Sequence, residues 1–321
     1  MMLRVGKFGG MPRKLRVQYP GAIYHVVDRG DRREDIFLDD QDREQFLDTF
    51  TEVCEKTDWE VHAYCLMCNH FHLVIETPHA DLVAGMKWFL GTYTSRFNHR
   101  HKEFGHVFSG RYKAIIVDGS GNGYLKTAAD YVHLNPVRAK LLRADQPLQQ
   151  YRWSSYPQYL LRPSRRPAWL RTDRVLGEWN IRRDDAAGRK EFERAMEMRK
   201  EQEESLENQD WKKLRRGWCW GPKSFRDDLL AMISEQQTEH HAGEELLESA
   251  EQKAEGLTQF LLARSSWKEQ DLASRRKADP VKVQMALQLR QQTTMTWKWI
   301  AQRLQMGQWR SALNAVRQIQ K

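Results

Sequence analysis

The element order of this 321-residue chain predicts an α+β fold, an antiparallel sheet with helices packed on one face. Two observations carry the prediction. Over residues 22–135, short runs rich in β-branched and aromatic residues alternate with stretches whose apolar residues recur at helical spacing. Two of those runs, 60–67 and 71–76, are separated only by a turn or bulge at Cys68-Asn69. A chain of this length holds one large or two medium domains, and either can bury a core.

Ala22-Ile-Tyr-His-Val-Val-Asp28 reads as the first strand. Asp39 to about Lys56 reads as a helix, with Phe46, Leu47, Phe50 and Val53 on one face. The strands 60–67 and 71–76 follow. Ala80 to about His99 is helical, since Leu82, Met86, Phe89, Leu90, Tyr93 and Phe97 keep helical spacing. Arg111–Val117 is a further strand. Asp118-Gly-Ser-Gly-Asn-Gly123 lacks the Lys-Ser/Thr ending of a phosphate loop and reads as a hinge before a helix from Tyr124 to Asn135, ended by Pro136. The order β-α-β-β-α-β-α suggests a ferredoxin-like unit. Arg162–Arg174 is rich in Pro, Arg and Ser and reads as a linker; Glu191–Leu214 is a charged run, acidic then basic, expected to be a solvated helix face. Asp279-Pro280 starts a helix, and the segments Thr296–Leu304 and Trp309–Ile319 flank a Met306-Gly307-Gln308 turn. That pattern reads as a helix-turn-helix near 280–319, with a plain helical bundle as the alternative. The expected organisation is a catalytic domain over 12–160, a linker and charged helix over 161–215, and a mainly α-helical C-terminal region over 216–321.

The formal charge of +9 and a pI near 9.3 favour a polyanionic partner. The excess is uneven: residues 1–150 carry 20 Lys and Arg against 19 Asp and Glu, and residues 151–321 carry 32 against 24. Four cysteines make no disulfide framework at this size, which fits a reducing cytoplasm. No apolar run reaches the roughly 18–20 residues that span a membrane, and the N-terminus lacks the apolar stretch of a signal peptide. Met11 is an alternative start to Met1.

The chemistry lies in two pieces. A strand alternates its side chains, so His70 and His72 project to one face about 7 Å apart, while Phe71 and Leu73 point to the other. Two imidazoles on one face can hold a divalent metal. On a helix, Tyr131 and Asn135 stand one turn apart on a shared face. Together they suggest phosphodiester chemistry with a tyrosine nucleophile. The bland readings are ordinary strand histidines and a helix-core tyrosine, a role that Tyr124 fits better. Cys65-x-x-Cys68 followed by His70 and His72 offers a structural zinc set, but all four fall in eight residues of strand-like sequence, where Cys65 would point away from the others. His240-His241 with Glu244 reads as an exposed helix surface rather than a metal site.

With Tyr19-Pro-Gly-Ala-Ile-Tyr-His-Val, Asn69-His-Phe-His-Leu, Gly105-His-Val-Phe-Ser-Gly-Arg-Tyr-Lys-Ala and Tyr131-Val-His-Leu-Asn-Pro-Val-Arg138 in place, the chain resembles a REP-associated tyrosine transposase of the HUH single-tyrosine family over about residues 12–160. The C-terminal helices resemble an accessory region found in part of that group. The resemblance implies that His70 and His72 are metal ligands, that Asn135 completes the metal site for Mg²⁺ or Mn²⁺, and that Tyr131 is the nucleophile. Cys68 stands where the family often carries proline, which bears on the turn more than on the chemistry. The implied activity is DNA nicking and rejoining on single-stranded DNA with hairpin repeats, through a 5′-phosphotyrosine and a free 3′-OH. A free phenol ionises near pH 10, so such a nucleophile needs activation. The implied setting is cytoplasmic and nucleoid-associated, without a membrane; a homodimer is compatible with the sequence.

Tyr93, Phe97, Phe104, Phe108 and Tyr112 interleave with Arg96, Arg100, Lys102, Arg111 and Lys113, the mixture expected where bases stack and cations follow phosphates. Arg96, Arg100, Arg111 and Lys113 are therefore candidate DNA contacts, as are Arg303, Arg310 and Arg317 in the C-terminal helices. The competing reading is a cleavage-inactive, sequence-specific DNA-binding protein of the same fold. An RNA-binding protein of similar architecture would not need His70, His72 and Asn135 together.

Overall fold

Strand β1 (Ala22–Arg29) is the centre of a five-stranded sheet in a computed structural model that describes residues 17–143, 145–203, 217–238 and 244–319. Helix α1 (Asp40–Thr57) leads to β2 (Glu60–Leu66), which turns directly into β3 (His70–Thr77). Helix α2 (Leu82–His101) leads to β4 (Lys113–Val117). The strand order is β2-β3-β1-β4, all antiparallel, which is the ferredoxin-like arrangement expected from the element order. One element was not expected: β5 (Cys219–Trp220) adds to β4 in parallel, so the sheet draws a strand from the region read as mainly helical.

Alternation sorts the strand residues onto two faces. Tyr24, Val26, Phe71, Leu73 and Ile75 pack with Phe46, Phe50, Phe89 and Tyr93, so α1 and α2 cover one face together. Ile23, Ala63, Val74, Ile115 and Val117 point the other way and meet Leu125, Ala128, Ala129 and Val132 of α3 (Tyr124–His133). The expectation of helices on one face only is thus corrected. Both faces of this sheet are apolar, and the second cannot be left to water.

The cover on that second face extends well past α3. After α4 (Asn135–Arg138) and α5 (Tyr156–Tyr159), the chain runs through α6 (Asp173–Glu178) into α7 (Ala186–Glu203). Leu170, Val175, Leu176, Ile181, Phe192 and Met196 are buried in the same core as α3. The stretch read as a linker is therefore part of the core up to residue 203. Its arginines are fastened as well: Arg166 donates to the carbonyls of Tyr159 and Leu161 and pairs with Asp184, and Arg174 pairs with Glu76 at 2.6 Å. Residues 204–214, the end of the charged run, lie outside the described residues.

The C-terminal region holds α8 (Lys223–Thr238), α9 (Glu244–Arg264), α10 (Glu269–Ser274), α11 (Pro280–Gln292), α12 (Trp297–Arg303) and α13 (Trp309–Ile319). Its own core joins Leu261, Leu272, Val283, Leu289, Ile300, Leu304 and Val316. Asp279 and Thr296 cap α11 and α12 with side-chain oxygens, as N-cap residues do. Among the described residues no helix is long and apolar enough to cross a membrane. His240 and His241 lie outside them.

Candidate active site

The pairing register of the sheet decides which side chains meet. His72 lies opposite Cys65 on β2 and Val27 on β1, and Val27 lies opposite Lys113 on β4. Arg29 lies opposite His70, and His25 faces both Val74 and Ile115. Directly paired residues share a face, so His70, His72, His25, Arg29 and Lys113 all project to the side that α3 covers. Tyr131 comes down from α3 onto this group. Its ring centroid is 5.6 Å from that of His72 and 5.4 Å from that of His25, both edge to face. The two β3 imidazoles are 5.2 Å apart.

Each imidazole is oriented through Nδ1. His70 Nδ1 lies 2.8 Å from Asn69 Oδ1, and His72 Nδ1 lies 3.0 Å from His25 Nε2. With Nδ1 engaged on both rings, Nε2 is the nitrogen that would take the ligand role, the usual division of labour in a histidine metal site. Burial and the nearby Arg29 push His70 down to about 4. Burial, with Lys113 and Arg138 nearby, pushes His25 to about 3. Both are neutral at pH 7, the form that ligates or accepts.

The tyrosine helix ends earlier than its sequence suggests. α3 stops at His133, Leu134 leaves helical geometry with φ −86° and ψ 0°, and α4 restarts at Asn135. Pro136 has no N–H to offer back along the helix and clashes with the preceding turn, which breaks it there. Arg138 braces the break: its guanidinium donates to the Tyr131 carbonyl and lies 4.1 Å over the Tyr131 ring. It also pairs with Glu203 at 3.0 Å, linking the tyrosine to the end of α7. Asn135 is buried, and its Nδ2 has no hydrogen-bond partner among the described residues.

Not every residue expected at the site is there. Arg96 pairs with Glu52 and donates to Thr49 Oγ1, and Arg100 binds Asp39 and Asp42 at the start of α1. Both belong to the α1–α2 layer, on the opposite side of the sheet from Tyr131. Tyr93, Phe97, Phe108 and Tyr112 are core residues of that layer, while Phe104 is exposed. Arg111 is exposed at the entry to β4. In the C-terminal region Arg303 is held by Glu255 at 2.6 Å and by Glu269, whereas Arg310 and Arg317 are exposed. The residues that sequence reasoning missed are His25, Arg29 and Arg138. His25 carried a signal, an imidazole on a strand between apolar neighbours. Arg138 carried none, because its role depends on the break at Pro136.

His70 and His72, two imidazoles with rings 5.2 Å apart, are the ligand type that a divalent ion taking nitrogen donors accepts. Among the described residues no three His, Cys, Asp or Glu side chains converge on one point. Cys65 does share the face of His72, because the β2–β3 hairpin folds it back there, but its thiol is buried beside Met67 and burial pushes it well up. Cys68 is exposed at the turn.

Comparison with known proteins gives two findings. Residues 18–135 match the family model described as "Transposase IS200 like". Among solved structures, a REP-associated tyrosine transposase bound to a REP hairpin is 14% identical, the match covering 47% of this chain and 84% of that one at a TM-score of 0.37. Comparison with curated proteins gives no match. β1–β4, both β3 histidines, Tyr131 and Asn135 all fall inside the stretch that is similar to this family model.

Proposed function

We propose that the protein is a metal-dependent single-stranded DNA endonuclease and strand transferase that acts on hairpin repeats through a 5′-phosphotyrosine on Tyr131. The observation that carries the reading is the meeting of Tyr131 with His72 and His25 on one buried sheet face, 5.6 and 5.4 Å away, beside His70. The match of residues 18–135 to the IS200-like transposase model supports DNA strand cleavage and rejoining as the reaction class.

His70 and His72, with Asn135, would hold Mg²⁺ or Mn²⁺. A divalent ion there would polarise the scissile phosphate and offset charge in the transition state. The protein's own groups do the rest. The Tyr131 oxygen attacks phosphorus in line; the bond to the 3′ oxygen breaks, and that oxygen leaves as a 3′-OH once protonated. The phosphodiester energy is kept in the tyrosyl ester, so a second 3′-OH can reverse the step on another end without any energy source. Arg138 fixes the ring of Tyr131, and Lys113 and Arg29 supply positive charge on the face where a phosphate would sit. In the C-terminal region, the helix pair α12–α13 with its Gly307 turn is read as a helix-turn-helix.

The test is incubation with a labelled single-stranded hairpin library and Mg²⁺ or Mn²⁺, followed by a denaturing gel. A covalent protein–DNA band is expected, lost in Tyr131→Phe and with EDTA. Tight binding with no adduct under either metal would point instead to a DNA-binding regulator.

A further inference from the structure

From Pro280 to Lys321 the sequence contains no aspartate or glutamate, but seven lysines and arginines and nine glutamines. The fold gathers part of this bias into an open groove of about 770 Å³ between the loop after α10 and the α12–α13 turn. Arg275, Arg276, Lys277 and Lys298 line it, and no carboxylate does among the described residues. Arg275 has Asp271 at 3.9 Å, whereas Arg276, Lys277 and Lys298 have no ion-pair partner among the described residues. This differs from Arg303, which two glutamates hold elsewhere.

The groove is built rather than incidental. Beneath it, Lys282 is fully buried and donates to the carbonyls of Leu272 at 2.7 Å, Arg275 at 3.3 Å and Gln305 at 3.4 Å. One ammonium thus ties both walls together and adds its own charge to the floor. Gly307, at φ +81°, lets the turn pass so close to Lys277 that a Cβ there would lie 3.2 Å from its Cδ. Helix α13 starts at Trp309 on the groove's edge; Ala312 and Val316 face the core, which leaves Arg310, Asn314 and Arg317 exposed.

We propose that this groove and the exposed face of α13 bind double-stranded DNA, as a second DNA surface apart from Tyr131. The inference stands independently of the chemistry read for that tyrosine. Cations on α12 and on the loop after α10 would take backbone phosphates, and α13 would enter the major groove, whose width of about 12 Å admits a helix. A single-stranded site would present several aromatic platforms, and Trp309 is the one aromatic residue lining this groove among the described residues.

The test uses the full chain and three labelled probes: a DNA duplex of about 20 base pairs, an RNA duplex of the same sequence, and oligo-dT of equal length. The charge-reversal variant Arg276→Glu/Lys277→Glu/Lys298→Glu alters side chains at the groove's surface, and Arg276→Gln/Lys277→Gln/Lys298→Gln is its milder companion. The expected result is at least a tenfold loss of DNA-duplex affinity in the reversal variant and a smaller loss in the glutamine variant. The slope of log affinity against log salt should become shallower by about 2–3 in both, since each lost phosphate contact is worth about 0.9. Oligo-dT binding should stay within twofold. Duplex affinity within twofold of the parent, an equal fall on oligo-dT, or tighter binding of the RNA duplex would each overturn the proposal. A protein that forms no tyrosyl adduct still gives a readable titration, so the two readings fail separately.

Discussion

At the scale of single residues, the candidate site works through neighbours that hold the reactive groups. His25 Nε2 lies 3.0 Å from His72 Nδ1, and its ring stacks on that imidazole with centroids 5.2 Å apart. Replacing it with phenylalanine keeps the ring and removes the hydrogen-bonding nitrogen. His25→Phe is expected to lower Mn²⁺ affinity by about 10–100-fold, the usual cost of losing such an outer partner. Isothermal titration with Mn²⁺ checks this, and a melting temperature close to the parent's would show that the fold survives. Asp130, next to the tyrosine, behaves differently. It is buried with Trp179 Nε1 at 3.2 Å, and burial raises its carboxyl to about 7, against the opposing pull of Arg199 and Lys126. A raised carboxyl favours folding while it holds its proton: relative to the ionised state, that contribution is complete below the unfolded value of 3.8 and is lost as pH rises through about 7. Asp130→Asn cannot ionise. Its melting temperature relative to the parent should therefore climb between pH 4 and 8; a constant difference across that range would refute the assignment. That His70 and His72 share a strand face was legible from alternation, whereas the place of Tyr131 beside them was suggested only by the family resemblance. His25 was legible only as a strand residue, since its partner lies 47 positions away.

At the scale of elements, periodicity named the strands and helices of the first 135 residues, but could not say which face each helix covers. Helix α2 shows what fixes such a choice. Gly85 lies against the Trp59 ring so closely that an added Cβ would sit 2.2 Å from Cζ2, and the Trp59 indole donates to Asp81 Oδ1 at 2.8 Å just before α2 begins. A methyl group there must push the indole out of the core. Gly85→Ala is expected to destabilise the fold by about 1–3 kcal/mol through overpacking. At Gly91, further along the same helix, an added Cβ meets nothing within 4 Å, so Gly91→Ala should stabilise by roughly 0.5–1 kcal/mol from helix propensity alone. Urea unfolding of the two variants separates packing from propensity; equal shifts would refute the account. The misread elements share one cause. The 162–174 stretch has the composition of a linker, yet its apolar residues Trp169 and Leu170 and its Arg166, Arg171 and Arg174 find partners contributed by β2, β3 and the segment just before α7. Such partners lie too far along the chain for local composition to reveal.

Over the whole molecule, the described residues form three buried cores, two on the faces of one sheet and one in the C-terminal helices. The third is tied to the first domain through the last turns of α1. Lys56 is buried and donates to the carbonyls of Arg290 at 2.6 Å and Gln291 at 2.5 Å, two acceptors that α11 leaves open at its C-terminal end. Its Nζ lies over the Trp88 ring, 4.9 Å from the centroid. Lys253 on α9 makes the reciprocal contact, donating to the Lys56 carbonyl at 3.0 Å and to Asp58 at 3.1 Å. A cation at a helix C-terminus is favourable, and here burial pulls Lys56 down to about 8, so desolvation offsets part of that gain. Lys56→Met keeps the apolar stem and leaves the two carbonyls without their donor. A loss of about 1–3 kcal/mol is expected, confined to the junction, because each core keeps its own packing. Hydrogen exchange should then speed up by about tenfold or more at the amides of 286–293 while those of β1 and β3 hold their protection, since 1.4 kcal/mol is a factor of ten. Faster exchange throughout the sheet would mean instead that the three cores unfold as one unit, with Lys56 a support of the whole rather than of the joint between its parts.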